Sequence, residues 1–242
     1  MCRHLAYLGP PVRIGELCFD APHSLRRQAQ HPRLQVYGDD NPHGWAVGWW
    51  ADATLHDYRT TTPMWEDDVF DGHDRAAAWM AAARYASPGS RLDVRSAAPL
   101  LAEGWMCSLN GMVERFYDGV GDDLRARCSP GRRARLVTDV DTEVCFAVLL
   151  DRFADGESPA AALGALVAEL ERAGSERLNF LLTDGRCIIA TAAGNSLFVR
   201  TDPLVVASEP LDDDDSWLRV ADRTLLIADR DGIETTSLEV AA

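Results

Sequence analysis

Lysine is absent from this 242-residue chain, so all 24 of its basic residues are arginines. This excludes a catalytic lysine that would form a Schiff base with a carbonyl substrate. The arginines are outnumbered by 38 acidic residues, which gives a formal net charge of -14. Because nucleic-acid binding needs a cationic surface that displaces counterions from phosphates, we expect no nucleic-acid partner.

Long hydrophobic runs and paired metal ligands are also lacking. No stretch approaches the roughly 18 uninterrupted apolar residues of a membrane span, and no apolar signal core follows the N-terminus. The six cysteines include no Cys-x-x-Cys pair, and the six histidines all precede residue 74. We therefore expect a cytoplasmic protein with reduced thiols, no membrane partner and no metal site.

The 47% hydrophobic content is enough for a full core, and we interpret residues 1–242 as a single domain. Two amphipathic stretches in the middle, residues 142–153 and 159–173, predict helices; the second begins after Ser158 and ends before Gly174. Six short strands are predicted after them: residues 179–183, 187–191, 196–200, 204–207, 224–228 and 233–238. This order favours an α+β sandwich of antiparallel sheets covered by helices.

The first half of the chain is predicted to be mostly strand. Its apolar runs indicate strands at residues 2–8, 44–50, 54–60, 91–95 and 104–109. The first should stop at the Gly-Pro-Pro turn of residues 9–11, and the last at an Asn110-Gly111 turn. A short helix is expected over residues 22–31. Residues 67–86 carry apolar side chains close to helical spacing and predict a longer helix.

Cys2 is the most informative residue for chemistry. A small residue at position 2 allows removal of Met1, which would leave a thiol and a free α-amine on one residue. The α-amine has an ordinary pKa of about 7.7 to 8.0, so it can accept the thiol proton near neutral pH. Cys2 could therefore be a nucleophile that needs no histidine, although a cysteine at this position can equally be inert.

Four other residues have both a catalytic and an ordinary interpretation. Asn110 and the Gly111 N–H could donate to the oxyanion of a tetrahedral intermediate, or could form a plain turn. Asp141 could pair with a substrate ammonium group, or cap the helix that follows. Arg95 could bind a carboxylate through two hydrogen bonds, or could be an exposed arginine beside a strand.

A set of motifs in a fixed order resembles a known family. The matching segments are residues 1–5 (Met-Cys-Arg-His-Leu), 41–45 (Asn-Pro-His-Gly-Trp), 63–70 (Pro-Met-Trp-Glu-Asp-Asp-Val-Phe), 94–97 (Val-Arg-Ser-Ala), 108–111 (Ser-Leu-Asn-Gly), 140–143 (Val-Asp-Thr-Glu) and 206–210 (Val-Ala-Ser-Glu-Pro), followed by Trp217. Together they resemble the class II glutamine amidotransferases, in particular the γ-glutamyl-hercynylcysteine sulfoxide hydrolases of ergothioneine biosynthesis. The resemblance spans most of the chain.

The resemblance implies the four-layer αββα sandwich of N-terminal nucleophile hydrolases and a role for each candidate residue. Cys2 would be the nucleophile that forms a thioester, and Asn110 with Gly111 would form the oxyanion hole. Arg95 would bind the α-carboxylate of the glutamyl group, and Asp141 its α-ammonium. No metal or organic cofactor would be required.

The implied substrate is a small γ-glutamyl amide whose leaving portion is a trimethylated histidine bearing a sulfoxide. This cation could stack on a tryptophan; the candidate that we assign to substrate binding is Trp45. A tryptophan on an apolar strand can equally belong to the core, and this applies to Trp45, Trp49, Trp50 and Trp65.

Three positions depart from the family pattern: His43, Leu109 and Ala98. They leave three functions open. The first is hydrolysis of a γ-glutamyl amide. The second is a glutaminase subunit that passes ammonia to a partner synthetase, and the third is a non-catalytic protein that binds a γ-glutamyl ligand. The sequence also leaves a homo-oligomer open.

Overall fold

A computed structural model describes residues 2–238 of the protein. Two antiparallel sheets are stacked at its centre. In spatial order, the seven-stranded sheet contains β11 (Leu218–Arg219), β9 (Phe198–Thr201), β10 (Leu204–Ala207), β1 (Arg3–Arg13), β4 (Arg75–Ala83), β2 (Trp45–Ala51) and β3 (Thr54–Thr60). The six-stranded sheet contains β13 (Ile233–Ser237), β12 (Thr224–Ala228), β8 (Ile188–Ala192), β7 (Arg177–Thr183), β6 (Trp105–Met112) and β5 (Leu100–Ala102).

Helices cover the outer faces of the two sheets. The α-helices are α1 (Leu25–Gln30), α2 (Val120–Arg127), α3 (Pro130–Arg133), α4 (Asp141–Ala154) and α5 (Pro159–Arg172). α1 and a π-helical turn at Glu16–Asp20 pack on the seven-stranded sheet, whereas α2, α4 and α5 pack on the six-stranded sheet. The predicted α+β sandwich is therefore confirmed.

Alternation along the strands divides the interior into three cores. On β1, Leu5 and Tyr7 pack toward α1, whereas Ala6 and Leu8 pack between the sheets. On β6, Met106 packs between the sheets, and Cys107 and Leu109 pack toward α4. Since side chains two residues apart share a face, the even-numbered residues at the start of β1 face those of β6.

The β1 strand is longer than predicted. It continues through residues 9–11 to Arg13, and its register with β4 shifts between Leu8 and Val12. Prolines can remain in a strand where the ladder is interrupted by a bulge, because the missing N–H is not required there. The prediction that the Gly-Pro-Pro segment ends the strand was therefore wrong.

The predicted helix over residues 67–86 was also wrong. Residues 75–83 form β4, which pairs with β1 on one side and β2 on the other. Trp79 and Ala81 pack in the core between the seven-stranded sheet and α1, and Ala78 and Met80 pack between the sheets. A strand that is buried on both faces is a continuous apolar run, so its periodicity does not distinguish it from a buried helix.

Two further predictions in this region were wrong. The segment over residues 91–95 is irregular and leads into a 3₁₀ turn at Val94–Ser96, where the Asp93 side chain accepts from the Arg95 N–H. Asn110 and Gly111 form no turn; they lie within β6 and pair with Asn179 and Leu178 of β7. The strand continues through both residues because they pair with β7. A local Asn-Gly sequence does not predict this long-range pairing.

The central helices were predicted well because their end signals are local. α5 begins after Ser158, whose hydroxyl accepts from the Ala161 N–H, and ends just before Gly174 at φ +100°. α2 and α3 were not predicted from the sequence. Within residues 2–238, every helix is too short or too polar to span a bilayer.

His4 lies between the two sheets with no exposed surface. Its Nδ1 is 3.2 Å from the Ser108 hydroxyl of β6, and its Nε2 has no hydrogen-bond partner among the described residues. Burial, reinforced by the charge of Arg3, lowers the pKa of His4 to about 3. His4 is therefore neutral in the folded protein at neutral pH.

We expect His4 to make the protein sensitive to acid. In the unfolded chain its pKa is about 6.5, so between pH 6.5 and 3 the unfolded state binds one more proton than the folded state. The stabilisation is complete above pH 6.5 and falls by about 1.4 kcal/mol per pH unit below it. Between pH 7.5 and 5.0, denaturant titrations should show about 2 kcal/mol more loss of unfolding free energy for wild type than for His4→Gln. His73→Gln, at an exposed site, is the control; equal pH dependence in wild type and His4→Gln would contradict the prediction.

Candidate active site

The start of β1 brings Cys2 beside Asn110 of β6. Cys2 is half-buried, and its backbone nitrogen lies 3.3 Å from Asn110 Oδ1. Both residues are even-numbered. Even-numbered side chains at this end of β1 and β6 face the space between the sheets, as those of His4 and Ser108 do. The sandwich architecture thus brings together two residues that are 108 positions apart in the sequence.

The Asn110 amide is held in one orientation. Its Oδ1 faces two donors, the Cys2 nitrogen and Arg3 Nη2 at 3.4 Å. Its backbone carbonyl accepts from Asn195 Nδ2 at 2.9 Å. The opposite group, Asn110 Nδ2, is buried and has no partner among the described residues. A buried N–H without a partner is costly, so this donor is available to an incoming acceptor.

Gly111 sits where β6 approaches β7 too closely for a side chain. A Cβ at this position would lie 1.9 Å from the Arg177 carbonyl oxygen. Glycine is therefore required by the close approach of the two backbones. Its backbone lies in the wall of a cavity next to Cys2.

A buried ion pair between Arg3 and Glu209 lies beneath Cys2. Arg3 Nη1 is 3.0 Å from Glu209 Oε1, and both side chains have no exposed surface. Arg3 Nε also donates to the Cys2 carbonyl at 3.1 Å. The Glu209 carboxylate accepts from the backbone nitrogens of Arg33 and Leu34. Burial lowers the pKa of Arg3, and the charge of Glu209 opposes this effect.

The cavity beside Cys2, which we call the main cavity, encloses about 800 Å³ of space when the open solvent at its mouth is included. Cys2, Gly111 and Asp141 line it, as does Arg84, for which the sequence analysis proposed no role. The other residues that define its walls include Tyr85, Ser96, Ala98, Leu109, Met112, Val113, Phe116, Tyr117 and Thr142. The main cavity therefore combines a thiol, a carboxylate and a guanidinium.

Asp141 presents a buried carboxylate at the first turn of α4. Its Oδ2 accepts from the Val113 N–H at 3.0 Å, and its Oδ1 accepts from the Thr142 N–H at 2.8 Å. Burial raises the pKa of Asp141, and these backbone hydrogen bonds oppose the rise. A cation in the main cavity would stabilise the ionised form.

Arg84 follows β4 and is only 6% exposed. Its backbone is held by Gly44 and His43, and its Nη2 donates to the Ser90 hydroxyl at 3.2 Å and the Arg91 carbonyl at 3.4 Å. Nη1 is buried without a hydrogen-bond partner among the described residues. A buried guanidinium with a free donor and a place in the cavity wall is suited to bind a carboxylate.

Arg95 and Trp45 do not line the main cavity. The Arg95 side chain is 58% exposed and pairs with Asp93 at 2.5 Å, in a neighbouring groove. The Trp45 ring is fully buried in the core under α1, and its Nε1 donates to Asp67 at 2.8 Å. The roles that the sequence analysis gives to these two residues remain predictions, and the structure does not place them with the other four.

The three departures from the family pattern have defined positions. His43 supports the segment after β4: its Nδ1 accepts from the Ala86 N–H at 3.0 Å, and its ring packs edge-on against Tyr85. Leu109 is buried in the core between the six-stranded sheet and α4, and it also lines the main cavity. Ala98 lines the same cavity. Only Leu109 and Ala98 are therefore in a position to contact a ligand directly.

Comparison with solved structures shows the fold. A glutamine aminotransferase class-II domain protein from Silicibacter pomeroyi superposes with a TM-score of 0.71 at 20% identity, over 98% of this chain and 99% of that one. The glutamine phosphoribosylpyrophosphate amidotransferase of B. subtilis superposes with a TM-score of 0.69 at 15% identity, over 99% of this chain and 49% of that one. The fold is that of the class II glutamine amidotransferases.

Sequence relatives show the family. A γ-glutamyl-hercynylcysteine sulfoxide hydrolase from Mycobacterium tuberculosis (strain CDC 1551 / Oshkosh) is 34% identical over 249 aligned residues, covering 100% of this chain and 98% of the relative. One from Mycolicibacterium smegmatis is 35% identical over 233 residues, covering 93% and 95%. No family model matches the chain. The chain belongs to the γ-glutamyl-hercynylcysteine sulfoxide hydrolase family.

We expect Glu209→Gln to destabilise the protein strongly. The substitution leaves Arg3 charged and buried without its counter-ion, and removing one partner of a buried ion pair costs about 3–5 kcal/mol. Denaturant titration at neutral pH measures this loss. Glu66→Gln, at an exposed position, should stay within about 0.5 kcal/mol of wild type. If the two variants were equally stable, the Arg3–Glu209 pair would not be the support that its burial indicates.

Proposed function

We propose that this chain hydrolyses a γ-glutamyl amide through a thioester on Cys2. The observation that carries the proposal is Asn110 Nδ2, which is buried beside Cys2 without a hydrogen-bond partner in residues 2–238, in a family of hydrolases. A donor that is preorganised next to a nucleophile stabilises the negative charge that develops on a carbonyl oxygen. The six free cysteines agree with action in the cytoplasm.

The first half of the proposed reaction forms the thioester. After removal of Met1, the Cys2 α-amine accepts the thiol proton as sulfur attacks the γ-carbonyl carbon. Asn110 Nδ2 and the Gly111 N–H donate to the resulting oxyanion. The tetrahedral intermediate collapses when the carbon–nitrogen bond breaks, and the leaving amine takes the proton from the α-ammonium of Cys2.

The second half releases glutamate. The α-amine, again neutral, accepts a proton from water as the water oxygen attacks the thioester carbon. The same two donors stabilise the second oxyanion. The carbon–sulfur bond then breaks, the thiolate takes back the proton, and the free γ-carboxyl of glutamate leaves the cavity.

The charges of the main cavity suit the zwitterionic end of a γ-glutamyl group. Asp141 is proposed to accept from the α-ammonium, and Arg84 Nη1 to donate to the α-carboxylate. Arg84 takes the place that the sequence analysis gives to Arg95, because Arg84 lines the same cavity as Cys2. The substrate of the relatives, γ-glutamyl-hercynylcysteine sulfoxide, is the proposed substrate.

The nucleophile can be tested apart from its base. Cys2→Ala removes the thiol and keeps the amine, whereas an uncleaved N-terminal extension blocks the amine and keeps the thiol. Each should lower glutamate release from γ-glutamyl-hercynylcysteine sulfoxide by at least about 10³-fold, measured by mass spectrometry. Cys187→Ala, which changes another half-buried thiol, serves as the control. Full turnover by the extended protein would contradict the proposed base.

The two arginines can be compared directly. Arg84→Gln should lower kcat/KM by about 10- to 100-fold, since it removes a charge-assisted hydrogen bond to the substrate carboxylate. Arg95→Gln should stay within about twofold, because its guanidinium is exposed and paired with Asp93. Steady-state kinetics with one γ-glutamyl substrate decides between them. A loss in Arg95→Gln together with normal kinetics in Arg84→Gln would assign the carboxylate to Arg95.

A further inference from the structure

A short segment that follows β8 contacts both sheets of the sandwich. We call residues 193–196 the bridge segment. Its Asn195 Nδ2 donates to the backbone carbonyl of Asn110, on β6, at 2.9 Å. The next residue, Ser196, donates from its hydroxyl to the carbonyl of Ser208, directly after β10, at 2.8 Å. Two adjacent side chains of the bridge segment therefore hold one point of each sheet.

The Ser208 contact leads to the proposed nucleophile. The Ser208 N–H donates to the His4 carbonyl at 2.9 Å, and the Ser208 hydroxyl accepts from the His4 N–H at 3.1 Å. Both residues have no exposed surface, and His4 follows Cys2 by two positions. Hydrogen bonds thus link the bridge segment to β1 beside Cys2 and to β6 at Asn110. These links restrict the spacing between the two strands at the active site.

Asn179 fixes the conformation of the bridge segment. It is fully buried in β7, directly opposite Asn110 in the β6–β7 register. Its Nδ2 donates to the carbonyls of Asn195 at 3.0 Å and Ser196 at 3.3 Å. Its Oδ1 accepts from the N–H groups of Ala193 at 2.9 Å and Asn195 at 3.2 Å. An asparagine amide has two donors and two acceptor sites, so the bridge segment occupies all four.

Gly194 allows this tight conformation. Its φ is +82°, and a Cβ at this position would lie 2.0 Å from the Glu176 carbonyl oxygen. Only glycine fits such a close backbone approach in the left-handed region. The Gly194 N–H also donates to Asp222 at 2.8 Å. The bridge segment is therefore fixed on several sides, and a fixed segment can hold the carbonyl that its Asn195 contacts.

We propose that Asn195 is a positioning residue for the oxyanion donors of Asn110 and Gly111. Its hydrogen bond fixes the Asn110 backbone, from which the Asn110 side chain and the Gly111 N–H both project. A displacement of about 1 Å at such groups costs on the order of 10²-fold in rate. Asn195 does not line the main cavity, so it acts through Asn110 and not on the substrate. This proposal rests on the proposed function and extends it to the support of the oxyanion site.

Two substitutions test the Asn195 donor. Asn195→Ala removes the side-chain amide, and Asn195→Asp keeps its size but presents only oxygens to the Asn110 carbonyl. Each should lower kcat for γ-glutamyl-hercynylcysteine sulfoxide by about 10- to 100-fold, with KM within about threefold, because Arg84 and Asp141 are unchanged. Asn195 is half-buried, so both variants should fold, which circular dichroism checks. Arg219→Gln, at an exposed position in a groove that Asn195 also lines, is the control and should keep kcat within about twofold.

Two thiol reagents separate the oxyanion donors from the nucleophile. 6-Diazo-5-oxonorleucine is a glutamine analogue with a ketone at the position of the scissile carbonyl. The Cys2 thiol gives its proton to the diazo carbon, and the sulfur displaces dinitrogen to form a thioether. Methyl methanethiosulfonate modifies the same sulfur but has no carbonyl group. Both Asn195 variants should slow the ketone reaction at least about tenfold and keep the thiosulfonate reaction within about twofold of wild type, measured by mass spectrometry of the Cys2 peptide.

The outcomes for Asn195 and for the proposed function are distinct. Unchanged kcat in both variants would overturn the positioning role, as would a raised KM with normal kcat or an equal loss of reaction with both reagents. If wild type releases no glutamate but the variants slow only the ketone reaction, the hydrolase function fails and the positioning role stands. If wild type releases glutamate and both variants match its kcat, the hydrolase function stands and the positioning role fails.

Discussion

The buried ion pair between Arg3 and Glu209 is the interaction on which the site depends. It joins the beginning of β1 to the segment after β10 and, through Glu209, to the backbone at residues 33 and 34. Two buried charges are stable only with good geometry and satisfied donors, which this pair has. Its second guanidinium nitrogen faces Asn110 Oδ1 and so helps to turn Asn110 Nδ2 away from the pair.

The Arg3–Glu209 pair lies beside the main cavity, because Arg3 contacts both Cys2 and Asn110. The proposed nucleophile, Cys2, directly precedes β1, and β6 carries the proposed oxyanion donors. α4 contributes the Asp141 carboxylate, and the segment after β4 contributes Arg84. Each group comes from a different element, and each is fixed by backbone contacts rather than by a flexible side chain alone. In the proposed reaction these groups are thus preorganised before a substrate arrives, which is the main electrostatic requirement for acyl transfer.

Local signals in the sequence predicted the central helices and most of the later strands. The roles of Cys2, Asn110, Gly111 and Asp141 came from the family resemblance and remain predictions, although the structure brings these four residues to one place. Burial on both faces concealed β4, because its alanines allow either a helix or a strand. That error also concealed Arg84, which follows β4 directly. Arg3 and Glu209 were part of the quoted motifs, yet their pairing spans 206 positions and depends on the fold. Glu209 follows an apolar strand and Arg3 follows Cys2. These two charged residues beside apolar runs were the signals that could have suggested a buried pair.

In the proposed reaction, the Cys2 sulfur carries the glutamyl group during turnover. The most direct measurement is mass spectrometry of the acid-quenched protein, with the modified residue mapped after proteolysis, together with turnover in the presence of hydroxylamine. We expect one glutamyl group on the Cys2 thiol, a free α-amine, and diversion of the product to the γ-hydroxamate. A glutamyl group on any other residue, or turnover from which hydroxylamine captures no product, would contradict it.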